Sequence, residues 1–312
     1  MLAYATRHFS LAVPVILIVA VLAFLLMHAL PGDPASVMAG SDASPAEIER
    51  IRVQLGLDRP VIEQLLLWGW NLLHGDFGRS LTLNQPVMSA VVERAPVTLS
   101  LSLLALAITV PISLVLGALA AYRRGTAVDG IVMVLALAGV SVPGFWLGIL
   151  GITLFSVKLG WVPSSGYVPL SSGVGPWFAS IILPATVLAF FQIGFLARIT
   201  RATMLEVFEQ EFIRAARARG VGEWRIVSKH VLRNGLLIIV TACGVILTML
   251  ISGAVVTETV FALPGIGRLV VQGVFARDYP LIQGVLIIIA LVLVVVNILV
   301  DILYRLIDPR LR

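Results

Sequence analysis

The charged residues divide the chain into long apolar intervals and shorter charged ones. A helix that crosses the hydrocarbon core of a membrane needs about 20 apolar residues. Six intervals of 22 or more residues contain no Asp, Glu, Lys or Arg, and every other uncharged interval has 13 or fewer. The pattern therefore predicts an all-α polytopic membrane protein with six transmembrane helices. The six intervals are Phe9–Gly32, Ala95–Tyr122, Gly130–Val157, Leu159–Ala197, Asn234–Thr257 and Tyr279–Val300.

Two of these intervals need interpretation before they are counted. The segment Gly160–Trp177 holds four Gly, three Pro and four Ser among 18 residues, which is typical of a loop. It leaves Phe178–Ala197 as the fourth span. The first interval follows Arg7, as a signal peptide would, but it is longer than the ~7–15 residues of a signal core. It also ends without a small-x-small cleavage site, so we expect a retained helix.

The basic residues predict the orientation of the helices. Fourteen Lys and Arg lie in the N-tail, the loop Arg123–Asp129, the loop Arg198–Arg233 and the C-tail. The short loops on the opposite side carry three, which are Lys158, Arg268 and Arg277. Because short basic loops stay in the cytoplasm, both termini are predicted to lie inside.

Composition supports this class and excludes others. Apolar residues make up 59% of the chain and charged residues 12%, with a mean hydropathy of +1.02. Globular domains have about 45–50% and about 25%. A single cysteine excludes a disulfide scaffold, and the low polarity excludes a disordered chain. The net charge of +5 is accordingly interpreted as a sign of membrane orientation, not of nucleic-acid binding.

The predicted organisation has one segment outside the membrane that is long enough to fold locally. There, Ser44 as cap, Pro45 at the first helical position and Glu47 at the third predict a helix start. A second apolar stretch runs from Val61 towards Leu73. The predicted domains are residues 1–30 (N-tail and first helix), 31–96 (external segment) and 97–312 (core with a cytoplasmic loop at 198–233).

The chain lacks the residue patterns of a catalytic site. It has no Gly-x-Ser-x-Gly elbow, no His-Glu-x-x-His pair, no Cys-x-x-Cys and no Gly-x4-Gly-Lys-Ser/Thr phosphate loop. The six intervals also lack the ionisable groups that an ion-coupled carrier places at mid-membrane. We therefore predict a conduit that is not an enzyme, holds no cofactor or metal, and is powered by another protein.

The loop Arg198–Arg233 is predicted to form a helix, a turn at Gly220 and Gly222, and a second helix. Its acidic residues come early and its basic residues late, which suits the dipole of one helix. Two interpretations remain open: an amphipathic helix on lipid headgroups, or a docking element for a cytoplasmic partner. The apolar residues at helical spacing are Met204, Phe208, Phe212, Ala215 and Ala216.

The docking element resembles a known motif. Ala215-Ala216-x3-Gly220, followed by Leu232, is similar to the coupling loop of permease subunits of binding-protein-dependent ABC importers. Arg214 and Arg233 depart from the usual Glu and Pro, as they do in the dipeptide/oligopeptide/nickel branch of that family. Eight further stretches agree in order: Leu30–Pro34, Gln54–Asp58, Gly75–Ser80, Ser141–Trp146, Leu196–Ala202, Phe261–Arg268, Arg277–Gln283 and Asp308–Pro309.

The resemblance implies the type I permease fold of ABC importers in a bacterial cytoplasmic (inner) membrane. It also implies a second homologous permease subunit, two cytoplasmic ATPases that bind ATP and Mg, and an extracytoplasmic solute-binding protein. The implied cargo is a dipeptide or oligopeptide. Nickel, a nickel chelate or glutathione stays open as an alternative cargo, and a self-sufficient secondary carrier stays as a third hypothesis.

Other positions are expected to lie at the outer face or along the pathway. The turn after the fifth span is rich in Gly and can bring backbone close to a partner. Prolines within successive spans can kink them, and an amide inside a span should face protein or the pathway. The expected external gate and binding-protein contacts are Glu258, Pro264, Gly265 and Gly267. The expected pathway residues are Ser141, Pro143 and Gln192.

Overall fold

A computed structural model describes residues 13–25, 33–39, 43–54 and 56–307, and these residues form helices joined by short connections. The predicted features at Arg7, Leu30–Gly32 and Asp308–Pro309 lie outside them. The helices are α1 (Val13–Leu25), α2 (Pro34–Ala39), α3 (Pro45–Gln54), α4 (Val61–Leu73), α5 (Val87–Tyr122), α6 (Ala127–Ser141), α7 (Gly144–Lys158), α8 (Val174–Phe208), α9 (Glu211–Ala218), α10 (Glu223–Val260), α11 (Ile266–Ala276) and α12 (Tyr279–Ile307).

Four of the helices in the described ranges, α5, α8, α10 and α12, are long and apolar enough to cross a membrane. The pair α6 and α7 adds a fifth if it forms one span. The predicted class of an all-α membrane protein is confirmed. The number of six helices and the cytoplasmic position of both termini stay predictions, because α1 is described over 13 residues only.

The third predicted span differs from a continuous helix. Between α6 and α7 the chain bends by 97°. Pro143 has no N–H to donate, and its ring disfavours helical geometry at the preceding residue. Val142 accordingly adopts an extended conformation, with φ −83° and ψ 126°. Pro184, by contrast, lies inside the continuous helix α8.

The external helices follow the predicted pattern. Glu47 accepts a hydrogen bond from the backbone N–H of Ser44 at 2.9 Å, and Ser44 Oγ accepts one from the N–H of Glu47 at 3.3 Å. The bond from the Ser44 backbone is the main cause that lowers the pKa of Glu47 below its ordinary value. Helix α3 begins at Pro45, one residue after the predicted cap, and α4 occupies Val61–Leu73.

One compact unit of the chain contains residues 1–96 and 268–298. The buried carboxylate of Asp278, just before α12, organises its loops. Asp278 Oδ2 accepts hydrogen bonds from the hydroxyl of Ser80 at 2.6 Å and from the N–H of Thr82 at 2.9 Å. The end of the external segment is thereby fastened to the first turn of the last helix.

The other compact unit contains residues 97–267 and 299–312. Its centre is α8, which packs against α6 and α10. A Cβ at Gly194 of α8 would overlap the carbonyl of Ala136 in α6, so glycine is what lets these two backbones touch. Buried aliphatic residues fill the remaining space, among them Leu101, Leu196, Ile246 and Leu250.

Candidate functional site

The segment 198–233 was predicted to form a helix, a turn at Gly220 and Gly222, and a second helix. In the structure the first of these helices has an additional break. Helix α8 ends at Phe208, and Gln210 is extended (φ −74°, ψ 148°) before α9 begins. The break brings Ile213 into the same buried cluster as Met204. In a straight helix these two residues would be about 14 Å apart along the axis.

The turn after α9 depends on the backbone of Gly220. This residue adopts φ +75°, a conformation that L side chains rarely adopt, and the next N–H, of Val221, bonds to the carbonyl of Ala216 at 3.2 Å. Arg217 and Glu223 then form an ion pair at 2.8 Å across the turn. The predicted turn is therefore a helix C-cap with a fixed shape.

The predicted docking residues do not all lie at the surface. Arg214, Ala215 and Gly220 are exposed, whereas Ala216 is buried within its own unit and Leu232 is half-buried against the core. A partner protein would meet the exposed residues first. The small size of Ala216 is explained by internal packing.

A large aromatic residue beside this turn is strongly exposed and was not among the predicted docking residues. Trp224, in the first turn of α10, is 81% exposed, and Phe212 in α9 is 39% exposed. Both are aromatic residues within the most highly charged part of the chain. An aromatic residue among charged ones is the signal by which sequence reasoning could have selected them. Exposed aromatic side chains are typical of protein interfaces.

The first turn of α6 is tied to the C-terminal part of α8. Arg201 donates two hydrogen bonds to the carboxylate of Asp129, at 2.6 and 2.7 Å, and the N–H of Gly125 donates a third at 3.0 Å. Asp129 is buried, while the nearby pair Arg124–Glu209 is exposed. The sequence analysis did not connect these residues, since pairing across 72 positions depends on the fold.

The predicted external gate contains a buried hydrogen-bond network. Glu258 is fully buried, and its Oε1 accepts the hydroxyl of Thr98 at 2.5 Å. Thr98 Oγ1 in turn accepts the N–H of Ile266 at 2.9 Å. A Cβ at Gly265 would overlap the carboxyl group of Glu258, and a Cβ at Gly267 would overlap the backbone of Val255. Sequence reasoning missed Thr98, which lies 160 positions from Glu258.

These contacts assign different roles to the four predicted gate residues. Glu258, Gly265 and Gly267 are buried, and only Pro264 is exposed. The first three hold the turn in shape, while Pro264 is the residue that an external protein could contact.

The three predicted pathway residues lie on two different elements. Ser141 and Pro143 are exposed at the bend between α6 and α7. Gln192 is buried in α8, and its Oε1 has no hydrogen-bond partner among the described residues. Its assignment to the pathway stays a prediction. The described residues contain no group of three or more His, Cys, Asp or Glu that could hold a metal ion.

Comparison with known families accounts for nearly the whole chain. Residues 113–312 match the family described as "Binding-protein-dependent transport system inner membrane component". Residues 1–102 match the N-terminal region described for the same type of membrane component.

The chain belongs to this family of inner membrane components. The resemblance drawn from the coupling-loop motif is thereby confirmed, as is the expectation of a multi-pass membrane permease of the ABC importer type.

Individual members of the family are similar over their full length. A Brucella abortus (strain 2308) protein named for a peptide transport system permease is 54% identical over all of this chain and 99% of its own length. The di/tripeptide transport system permease protein DppB of Pseudomonas aeruginosa is 38% identical, and the dipeptide transport system permease protein DppB of Escherichia coli K12 is 36% identical. For both, the match covers all of this chain and 99% of the relative.

A solved structure confirms the fold of this family member. A chain of the MetNI methionine ABC transporter, in an inward-facing conformation, superposes with a TM-score of 0.59. The match covers 71% of this chain and 97% of that chain, at 22% sequence identity. The type of fold predicted from the resemblance is therefore the one that the structure shows.

Proposed function

We propose that this chain is one of two permease subunits that together enclose the pathway of an ATP-driven importer of dipeptides or oligopeptides. The observation that carries the proposal is full-length similarity, at 36 to 54% identity, to proteins named for peptide and dipeptide transport. The cargo is proposed from those names.

Power for transport comes, in this proposal, from two cytoplasmic ATPases that bind ATP and Mg. The chain has no phosphate-binding loop, and its predicted spans contain no charged residue through which an ion gradient could act. The segment 198–233 supplies the contact with an ATPase. Its rigid turn at Gly220 and the exposed side chains of Ala215 and Trp224 form the surface that would enter a groove on that partner.

The cargo arrives, in this proposal, from an extracytoplasmic solute-binding protein. The turn around Pro264 is held in shape by the network of Thr98, Glu258 and Gly265. A turn whose backbone is already ordered loses little conformational entropy when a partner binds. This rigidity supports its assignment as a contact for the binding protein.

The coupling role is tested by two substitutions on the exposed surface. Ala215→Asp and Trp224→Asp should leave insertion and pairing with the second permease intact, because neither side chain is buried in this chain. Both should reduce co-purification of the ATPases and the ATPase activity that loaded binding protein stimulates. Arg123→Asp, on the other cytoplasmic loop, is the matched control and should retain both. Full stimulation in both test variants would contradict the coupling role.

The cargo is tested by direct binding to the partner solute-binding protein. Dipeptides, nickel and reduced glutathione are compared by calorimetry, and peptide binding is the expected result. The same experiment decides between a peptide and the two alternative cargoes. Transport by the purified chain alone in liposomes, without ATPases or ATP, would instead support a secondary carrier.

A further inference from the structure

Helix α4 carries four strongly exposed apolar residues on the side that faces away from the protein. Ile62, Leu66, Trp70 and Leu73 follow one another at spacings of four and three residues, which places them on one face of a helix. Their side chains are 62 to 83% exposed, and α4 contains no buried residue. We call these four residues the outer stripe.

The opposite face of α4 is the more polar one. Gln64 donates a hydrogen bond to the carbonyl of Arg59 at 2.8 Å, and Asn71 lines a cavity of about 640 Å³ together with Gln64 and Trp68. A helix on a water-exposed surface has the reverse arrangement, with its apolar face towards the protein. The arrangement therefore indicates that the outer stripe contacts an apolar environment and not water.

The position of α4 identifies what covers the stripe. The cavity beneath the helix is also lined by Tyr279 and Gln283, in the first two turns of α12, which is apolar enough to span a membrane. On the same inner face, the ring of Trp68 lies 5.7 Å from that of Phe24 in the apolar helix α1. All these residues belong to one compact unit. Helix α4 thus lies beside the point at which a membrane-spanning helix begins.

The residues around the stripe match an interfacial helix. The N-terminal end of α4 carries the ion pair Arg59–Glu63 at 3.0 Å, and the polar residues His74 and Asp76 follow its last turn. Tryptophan is enriched where a membrane meets water, and amphipathic helices there bury their apolar face at the headgroup and acyl boundary. The outer stripe contains aliphatic residues and Trp70 but no charged group.

We propose that α4 is an interfacial helix whose outer stripe lies in the outer leaflet of the lipid bilayer. It anchors the external segment at a fixed height on the membrane and so sets the level of the cavity beneath it. Continuity with α1 supports lipid as the neighbour, because Ile18 and Leu22 expose 60% of their side chains beside the same segment. The proposal does not depend on the cargo or on the coupling role of the segment 198–233.

The test measures the surroundings of the stripe in the assembled transporter. Leu66→Cys and Ile62→Cys are made separately in a Cys243→Ala background, which removes the single cysteine of the chain. Each is labelled with an environment-sensitive fluorophore in nanodiscs of phosphatidylcholine and phosphatidylglycerol. Ala46→Cys, exposed on α3, is the matched control. Quenchers are a lipid with a nitroxide near its headgroup and aqueous iodide.

The expected result is a blue-shifted emission at positions 62 and 66, with a several-fold greater loss of signal to the nitroxide lipid than at position 46. Iodide should quench the fluorophore at position 46 more strongly than at positions 62 and 66. Iodide quenching at positions 62 and 66 equal to that at position 46 would overturn the proposal, because the stripe would then face water. Protection from both quenchers would overturn it as well, since a partner protein would then cover the stripe.

Discussion

The network at the external turn predicts a large effect from removing a single hydroxyl group. Thr98→Val keeps the shape of the side chain but takes one hydrogen bond from the fully buried carboxyl group of Glu258, a loss that costs about 1–3 kcal/mol. It also leaves the N–H of Ile266 without its 2.9 Å acceptor, at a cost of about 1 kcal/mol. The sum is about 3 kcal/mol of folding free energy.

Thr98→Ser is the matched control for this prediction. It keeps the hydroxyl and removes one methyl group, which costs about 1 kcal/mol. The valine variant should therefore be less stable than the serine variant by about 2 kcal/mol, or about 30-fold in the opening equilibrium. If the hydrogen bonds of the Thr98 hydroxyl contributed nothing to stability, the valine variant would be the more stable of the two, because it loses no apolar contact.

The difference is measured by labelling Cys243 with a thiol-reactive fluorophore in the purified transporter. This cysteine is partly buried against the core of the same compact unit, so opening of that core should increase its rate of labelling. The labelled band of this chain is followed on a gel over time. When opening and closing are fast, the labelling rate follows the opening equilibrium. Equal labelling rates in the two variants would refute the role assigned to the network.

Three further predictions concern the cytoplasmic side and the topology. Gly220→Ala should cost about 1–2 kcal/mol because of its φ of +75°. Gly222→Ala, at φ −60° and with open space around it, should be neutral. Limited proteolysis compares the two variants, and equal cleavage would count against the C-cap. Asp129→Asn should lower the unfolding free energy by about 2–3 kcal/mol through loss of its pair with Arg201. Glu209→Gln, which breaks the exposed pair with Arg124, should lower it by less than about 1 kcal/mol. Equal thermal midpoints of the two variants would contradict this prediction. In a Cys243→Ala background, Ser165→Cys should react with an impermeant thiol reagent in intact cells and Ser228→Cys only after the membrane is opened, and the reverse order would overturn the orientation.

The sequence alone determined the class of the protein and the places of most helices. Long uncharged intervals require helices in a membrane, because each backbone N–H and C=O must be bonded within its own segment there. Local signals also predicted the Ser44–Glu47 cap, and the apolar stretch noted from Val61 towards Leu73 forms a helix with those ends. The family followed from short stretches in order along the chain, and the comparisons confirmed it.

The tertiary structure decided the features that depend on distant residues. After the break before α9, Ile213 lies in one buried cluster with Met204, and no local pattern shows that cluster. The partner of Glu258 is Thr98, 160 positions away, and only packing of α5 against the turn brings them together. The outward direction of the stripe on α4 likewise depends on what lies beneath the helix. Periodicity shows that a face is apolar, but only the fold shows which way that face points.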